Sequence, residues 1–366
     1  MKELHPIGWY AQRVAPHLPK EAFKPVPQRL WGGLVYLLLA GGSIAAVGML
    51  SLPWYGYLAL SLLIGTAFSG LGFLGHELLH GTVVKTAWLR DLLGAIAFAQ
   101  FNLGPKLWRK WHNMEHHAHT QDEDTDPDAW ATMEEMWKRP VMRWAYRLPF
   151  WVRSLANFMS FTLFFSIHSL LMFKRYIGEF KEKDRPVVWF QLIWPVVMWL
   201  SLLAWVGPYK WLFAYVLPLL MANFMVISYI STNHQLNPLT EVNDPLANSL
   251  TVTVPRWVDV LHLNFSYHTE HHLFPGMNPK WGPLVKAEIK RQWPDLYHEM
   301  PFTQALATLW RTPRVYSKDR VDLVDPIPGR AYGTLGHGLN PSAVRSRPVI
   351  MDAPDGIAMP TLQEGD

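Results

Sequence analysis

The sequence predicts an all-α integral membrane protein: four transmembrane helices in two hairpins, with a cytoplasmic helical cap that carries a histidine-rich di-metal site. Three observations lead there. Apolar stretches reach the ~20 residues that cross a bilayer core as a helix. Lys and Arg are concentrated in three long segments, and histidines gather beside the ends of the apolar stretches. Half of the 366 residues are hydrophobic, and 19 Trp, 18 Phe and 13 Tyr give an aromatic-rich chain.

The expected spans are residues 31–50 ("WGGLVYLLLAGGSIAAVGML"), 54–74, 187–206 and 211–231. The turn around Leu52 and Pro53 carries no charge, and the turn Gly207 to Lys210 carries a single Lys. Segments 1–30, 75–186 and 232–366 hold nearly all the other basic residues, so the positive-inside rule puts them, and both termini, in the cytoplasm. In a bacterium the membrane would be the inner (plasma) membrane. Two further apolar runs do not fit as spans. Residues 92–105 are too short and read as re-entrant or interfacial. Residues 155–173 are long enough, but Arg153 flanks one end and Lys174 with Arg175 the other. Basic residues at both ends suit a helix that lies at the interface or returns to its own side.

The domain division follows: 1–30 a cytoplasmic N-terminal segment, 31–311 a membrane domain, 312–366 a tail rich in Pro, Gly and Arg, expected to be extended or disordered. The N-terminus has no continuous apolar run before a small-residue cleavage site, so no cleavable signal peptide is expected. With no Cys in the chain, thiolate metal sites, iron–sulfur clusters and cysteine nucleophiles are excluded. No nucleic-acid motif or dense basic tract is found, so no nucleic-acid partner is expected.

Sixteen histidines are unevenly spread. "GHELLHG" holds His76 and His80; "WHNMEHHAHT" holds His112, His116, His117 and His119; "STNHQLN" holds His234; "YHTEHH" holds His268, His271 and His272. Residues three and four apart share a helix face, so His76 with His80, His112 with His116, and His268 with His271 or His272 can each aim at one centre. Leaving out His119, nine imidazoles exceed the needs of one ion and fit two, each with a position open to water, oxygen or substrate. Imidazole suits iron, zinc, copper and nickel. Iron is the choice where redox chemistry is the purpose, and the residues alone do not exclude zinc. A shared site also requires every cluster to lie on one side of the membrane, which agrees with the four-span arrangement.

A metal-bound imidazole usually donates its other N–H to a carboxylate or carbonyl. "TQDEDTDPDAW" supplies Asp124 and Asp126 as candidates, against the plainer reading of a solvated acidic loop. Glu77, Glu115 and Glu270 each adjoin a cluster histidine; they either support the rings or pair with nearby Arg and Lys. His119 reads as a supporting or surface residue, His262 as a possible support, and His168, inside an apolar run, as a satisfied buried or interfacial histidine. No carboxylate-bridged ExxH pair is found.

These residues resemble the membrane fatty acid desaturase and hydroxylase superfamily, whose mark is three histidine boxes on the cytoplasmic side of a four-helix membrane domain. Here the boxes read HELLH (76–80), HNMEHH (112–117) and HTEHH (268–272), and the resemblance covers roughly residues 30 to 310. "HTEHHLFPGMNPKW" is similar to acyl-lipid desaturases of bacteria and plastids. The resemblance implies two Fe bound by the nine box and near-box histidines, His234 supplying the further ligand. It implies O2 as co-substrate, a lipid acyl substrate, and a separate electron donor of ferredoxin, flavodoxin or cytochrome b5 type. Two departures stand out. Ile230 occupies the position where acyl-CoA relatives place an Asn holding a metal-bound water, with Asn233 and Asn237 nearby. The first box is HxxxH, which favours acyl-lipid over acyl-CoA substrates. Carotenoid ketolases or hydroxylases and alkane or lipid hydroxylases share these boxes and remain open. From other classes, a membrane zinc hydrolase and a bis-histidine haem protein are the alternatives.

Overall fold

The computed structural model describes residues 3–350. The chain is mostly helical, and the Trp54–Leu79 helix lies at its centre. Its last thirteen residues, 67–79, are all buried. The Arg29–Met49 helix packs along it, joined by a turn that ends at Pro53. Close approach is needed here: a Cβ on Gly70 would meet the Tyr36 ring at 2.4 Å. Tyr36 cannot easily yield, because its hydroxyl donates to the Leu261 carbonyl. Gly70→Ala is therefore expected to destabilise the chain by ~1–3 kcal/mol, read as a lower melting temperature in detergent.

Four stretches are long and apolar enough to cross a membrane: Arg29–Met49, Trp54–Leu79, Phe150–Glu179 and Arg185–His234. The last breaks at Gly207, where φ is 75°. There the chain folds back, so that Trp211 Nε1 donates to the Trp199 carbonyl at 3.0 Å and the Trp199 and Tyr215 rings stack at 4.3 Å. The expected spans 187–206 and 211–231 thus appear as the two arms of one broken helix. The single Lys210 of that turn donates to the carbonyls of Gly48 and Leu50, at 2.8 and 2.9 Å. It caps the carbonyl end of the first apolar helix and ties the two turns together.

Residues 92–105 fall within a helix Ala87–Phe98, a short 3₁₀ turn, and a reversal at Asn102 (φ 53°). The run 155–173 lies inside a longer helix, Phe150–Tyr176, packed along Leu217–His234. Asn223 Oδ1 accepts the Ser166 backbone N–H at 2.9 Å, and the Phe161 and Phe224 rings meet. Its outer face leaves Met159, Leu163, Ile167 and Leu170 exposed.

The expectation of an extended or disordered tail from 312 needs correction. Strand Leu323–Asp325 pairs antiparallel with Arg330–Gly333, which pairs with Arg347–Pro348. Val315, Tyr316, Leu323, Val324 and Ala331 are buried. Strands this short carry no readable periodicity, and the glycines taken as a sign of disorder have positive φ, Gly329 and Gly336 in turns, Gly333 at a strand end and Gly338 in a β-bridge. The remaining part of that tail, residues 351–366, lies outside the described residues. At the other end Tyr10, Val14 and Ala22 form a separate small core with Leu246, Leu273, Val285 and Ile289, which seats the N-terminal segment on the third histidine box.

Candidate metal centre

Each box is carried by a helix end or a short helix directed at one point. His76 lies in the last turn of Trp54–Leu79 and His80 caps it. The second box is wound differently from the expectation. Residues Arg109–His116 form a π-helix, in which hydrogen bonds run from i to i+5. His112 and His117, five apart, therefore face one group, and His116 turns toward the other. The third box, His268–Leu273, is a six-residue α-helix. His268 and His272, four apart, go together, and His271 goes across.

Two adjoining groups result. The first holds His76, His80, His112, His117 and His271, one ring nitrogen of each within 4.8 Å of the others. Within it the Nε2 atoms of His76 and His112, His112 and His117, and His117 and His271 are each 3.1 Å apart. The second group brings together His116, His234 and His272. His268 joins it, its Nε2 2.7 Å from that of His234 and 3.1 Å from that of His272. The groups touch through the His117 and His272 rings, 4.5 Å between centroids. All nine sequence candidates are thus brought together, and His234 arrives from the end of Leu217–His234 as expected.

The donor set fits metal ions. Burial, with neighbouring imidazoles adding to it, holds His80, His112, His117, His268, His271 and His272 well below the usual imidazole range. These rings are neutral and offer lone pairs. Buried polar atoms are normally bonded, yet His80 Nε2 has no hydrogen-bond partner among the described residues. Converging neutral imidazole nitrogens are what a cation would satisfy.

The outer nitrogens show which residues orient the rings. His116 Nδ1 lies 3.0 Å from Asp126 Oδ1, His234 Nδ1 3.1 Å from the Asn248 carbonyl, and His272 Nδ1 3.2 Å from Thr120 Oγ1. Asp126 is itself held by the Gln121 and Asp128 backbone N–H groups. Asp128 lies 3.6 Å from His116 and accepts from Trp111 Nε1 and from His168, each at 2.8 Å. His168, read as a satisfied buried or interfacial histidine, is half-buried and satisfied by that carboxylate.

Other candidates lie away from the rings, and for several of them the second of the two expected readings is the one observed. Asp124 is exposed in the turn, and His119 is exposed and outside both groups. Glu115 pairs with Lys110 at 2.5 Å. Glu270 accepts from Thr251 Oγ1 at 2.6 Å and from the Tyr297 hydroxyl. Glu77 accepts from Asn278 Nδ2 at 2.6 Å and faces Arg29. A helix neighbour one position away points off the histidine face, so these glutamates brace the boxes against other segments. The Asn233 side chain is buried and makes no hydrogen bond among the described residues.

Burial would lower His116, but Asp126 and Asp128 outweigh it and push it up to about 8. A ligand must be unprotonated, so below pH 8 a metal entering the second group has to displace that proton. Metal binding to the apo chain at pH 7 is expected to release close to one proton per chain from this ring, and affinity should fall as pH drops below 8. Proton release measured in weak buffer during metal titration checks this.

A small cavity reaches the centre from between the long apolar helices. Gly72, Phe73, Phe101, Phe165 and Val226 form its apolar walls, and His76, His112, His116, His234 and His268 its end. It shares Trp111, Asp128, Phe165 and Ile230 with a larger groove of about 730 Å³ beside the Phe150–Tyr176 helix.

Nine histidines in two adjoining groups, seven of them buried, reached by an apolar cavity between helices long enough to cross a bilayer, define a polyhistidine metal site in a membrane protein. The sequence profile described as Fatty acid desaturase matches residues 52–304, well over half the chain. The chain belongs to the fatty acid desaturase family and is an oxidoreductase of that class. It is 26% identical over 346 residues to the sn-1 oleoyl-lipid 12-desaturase of Synechocystis sp., covering 88% of this chain and 92% of the relative. It is 26% identical over 320 residues to the sn-1 oleoyl-lipid 12-desaturase of Picosynechococcus sp., covering 79% and 84%. It is 24% identical over 335 residues to the chloroplastic omega-6 fatty acid desaturase of Spinacia oleracea, covering 82% and 68%.

Proposed function

We propose that this desaturase places a double bond in an acyl chain of an intact membrane lipid, at the position named for its relatives, the twelfth carbon of an oleoyl chain. The nine histidines hold two irons, which supply O2 activation and hydrogen abstraction when bound. The overall change removes two hydrogens from adjacent carbons; O2, two electrons and two protons account for the two waters formed. The electrons come from a separate donor of ferredoxin, flavodoxin or cytochrome b5 type. The observation that carries the reading is the apolar cavity that ends on both histidine groups.

The chain's own residues bind, orient and exclude. Phe73, Phe101, Phe165 and Val226 keep the approach to the centre apolar, which suits a saturated chain and keeps bulk water out. Ile230 continues that wall at the junction of the two cavities. Asp126, Asn248 and Thr120 fix three rings through their outer nitrogens.

The same reading covers topology. Histidines from between and after the apolar helices meet at one place, so the chain must cross the membrane an even number of times between any two boxes. Two hairpins, 29–79 and 185–234, meet that condition if Phe150–Tyr176 stays on the side it starts from. The site and both termini then face the cytoplasm. A reporter fused after Phe173 should give a cytoplasmic signal; a signal from the far side would remove this arrangement. The reaction is tested by the acyl profile of a host that makes oleoyl lipids and expresses this chain with a donor. A diunsaturated chain with its new bond at the twelfth carbon is expected. Oxygenated acyl products or altered carotenoids would instead favour a hydroxylase or ketolase.

A further inference from the structure

We propose that Arg314 anchors an anionic oxyacid group, phosphate or sulfonate, on the headgroup of the lipid whose acyl chain enters the centre. The inference rests on the function proposed above and adds the headgroup class.

Arg314 is only 4% exposed, and its Nε, Nη1 and Nη2 make no hydrogen bond among the described residues. The guanidinium lies over the Phe161 ring at 4.6 Å and the Trp130 and Phe158 rings at 5.5 Å. Ring faces attract a cation but bring no counter-charge. Burial pulls Arg314 down to about 9, so it still carries its charge at neutral pH. A buried charge with no partner is costly, and five donors in a planar fork match two oxygens of a phosphate or sulfonate.

Arg314 borders the larger groove, which contains other charges. Arg153 is paired with Asp325, Arg139 with Glu135, and Glu123 with Arg320. Asp126 and Asp128 are held by His116 and His168. Lining the groove, that leaves Arg314 inside, and Arg175 and Asp124 as exposed charges without an ion pair among the described residues. The interior charge not already neutralised is therefore positive. The groove joins the small apolar cavity at Phe165 and Ile230, so a lipid held at Arg314 has a path for its chain to the histidines. Engagement needs the guanidinium to swing from its aromatic bed toward the groove, a rotamer change that breaks no hydrogen bond.

The test uses the purified full-length chain, without electron donor, in detergent micelles with equal dioleoyl phosphatidylglycerol and dioleoyl monogalactosyldiacylglycerol. Lipid retained after washing is extracted and quantified by mass spectrometry. The wild type should retain the anionic lipid over the neutral one by about tenfold or more. R314M should bring the ratio close to one, and R314K should fall between. Met is chosen because exchanging a buried charge for an apolar side chain of similar size tends to preserve folding; the melting temperature of each variant is measured alongside. Equal retention by the wild type overturns the proposal, whatever the variants do. So does an unchanged preference in folded R314M. If excess inorganic phosphate erases the preference, the site takes a free anion and the lipid assignment falls. A retention bias here, together with no double-bond product in the donor-supplied host described above, would remove the proposed reaction and leave the site. A double bond formed equally on both lipids, with no bias, would remove the site and leave the reaction.

Discussion

Replacing His272 with Ala is expected to abolish formation of the unsaturated acyl chain while leaving expression and melting behaviour close to those of the wild type. His272 is fully buried, its Nε2 3.1 Å from His268 Nε2, with the His116, His117 and His234 rings about it. Its loss leaves the second group with three rings and opens a side position that water can take. Metal analysis of the purified variant should show iron falling from two toward one per chain. The five-ring group built on His76, His80, His112, His117 and His271 loses none of its own nitrogens. A His272→Ala chain that keeps both its activity and its full iron content would show that this ring is not a ligand.

The second large effect is expected at Asp126. Its Oδ1 faces His116 Nδ1 at 3.0 Å and accepts the Asp128 N–H, while Oδ2 accepts the Gln121 N–H at 2.8 Å. Asp126→Asn keeps the shape and removes the charge. Loss of such a ring partner typically lowers metal affinity or activity by about 10- to 100-fold. The control is Asp124→Asn, two residues away in the same acidic run but exposed. It should leave both unchanged. Competition with a coloured chelator gives the affinities, and equal effects of the two substitutions would show that the acidic loop acts only through its summed charge.

These two aspartates show what the sequence can and cannot reveal. The HxxxH, HxxxHH and HxxHH patterns identify their histidines because the signal is local, a dense repeat of one residue type beside apolar runs. Choosing among Asp122, Asp124, Asp126 and Asp128 is not local. It depends on how the loop folds back, on Gln121 at φ 62° and on Asp126 closing onto the Gln121 N–H. Thr120 and Asn248 support rings from 152 and 14 residues away, and nothing in their own neighbourhood marks them. Arg314 gave no signal either. An arginine in a stretch rich in Pro, Gly and Arg looks solvated until Tyr316 is seen tucked beneath the core, with its hydroxyl donating to the Asn237 carbonyl at 2.8 Å. The apolar helices were legible because length and hydrophobicity are summed properties. The break at Gly207 was legible as well, since a Gly-Pro pair with a lone charge interrupts an otherwise continuous run.

The π-helical turn from Arg109 to His116 has a consequence for inheritance. Such a turn holds one residue more than the α-helix it interrupts. That extra residue lets one short segment serve both histidine groups, with His112 and His117 facing one way and His116 the other. A deletion of a single codon between His112 and His116 would let the segment relax to ordinary winding and draw the later rings out of register with their partners. No histidine would be lost from the coding sequence, yet the centre would be dismantled. Among descendants of this gene, length within the second box should therefore be kept as strictly as the identity of its histidines.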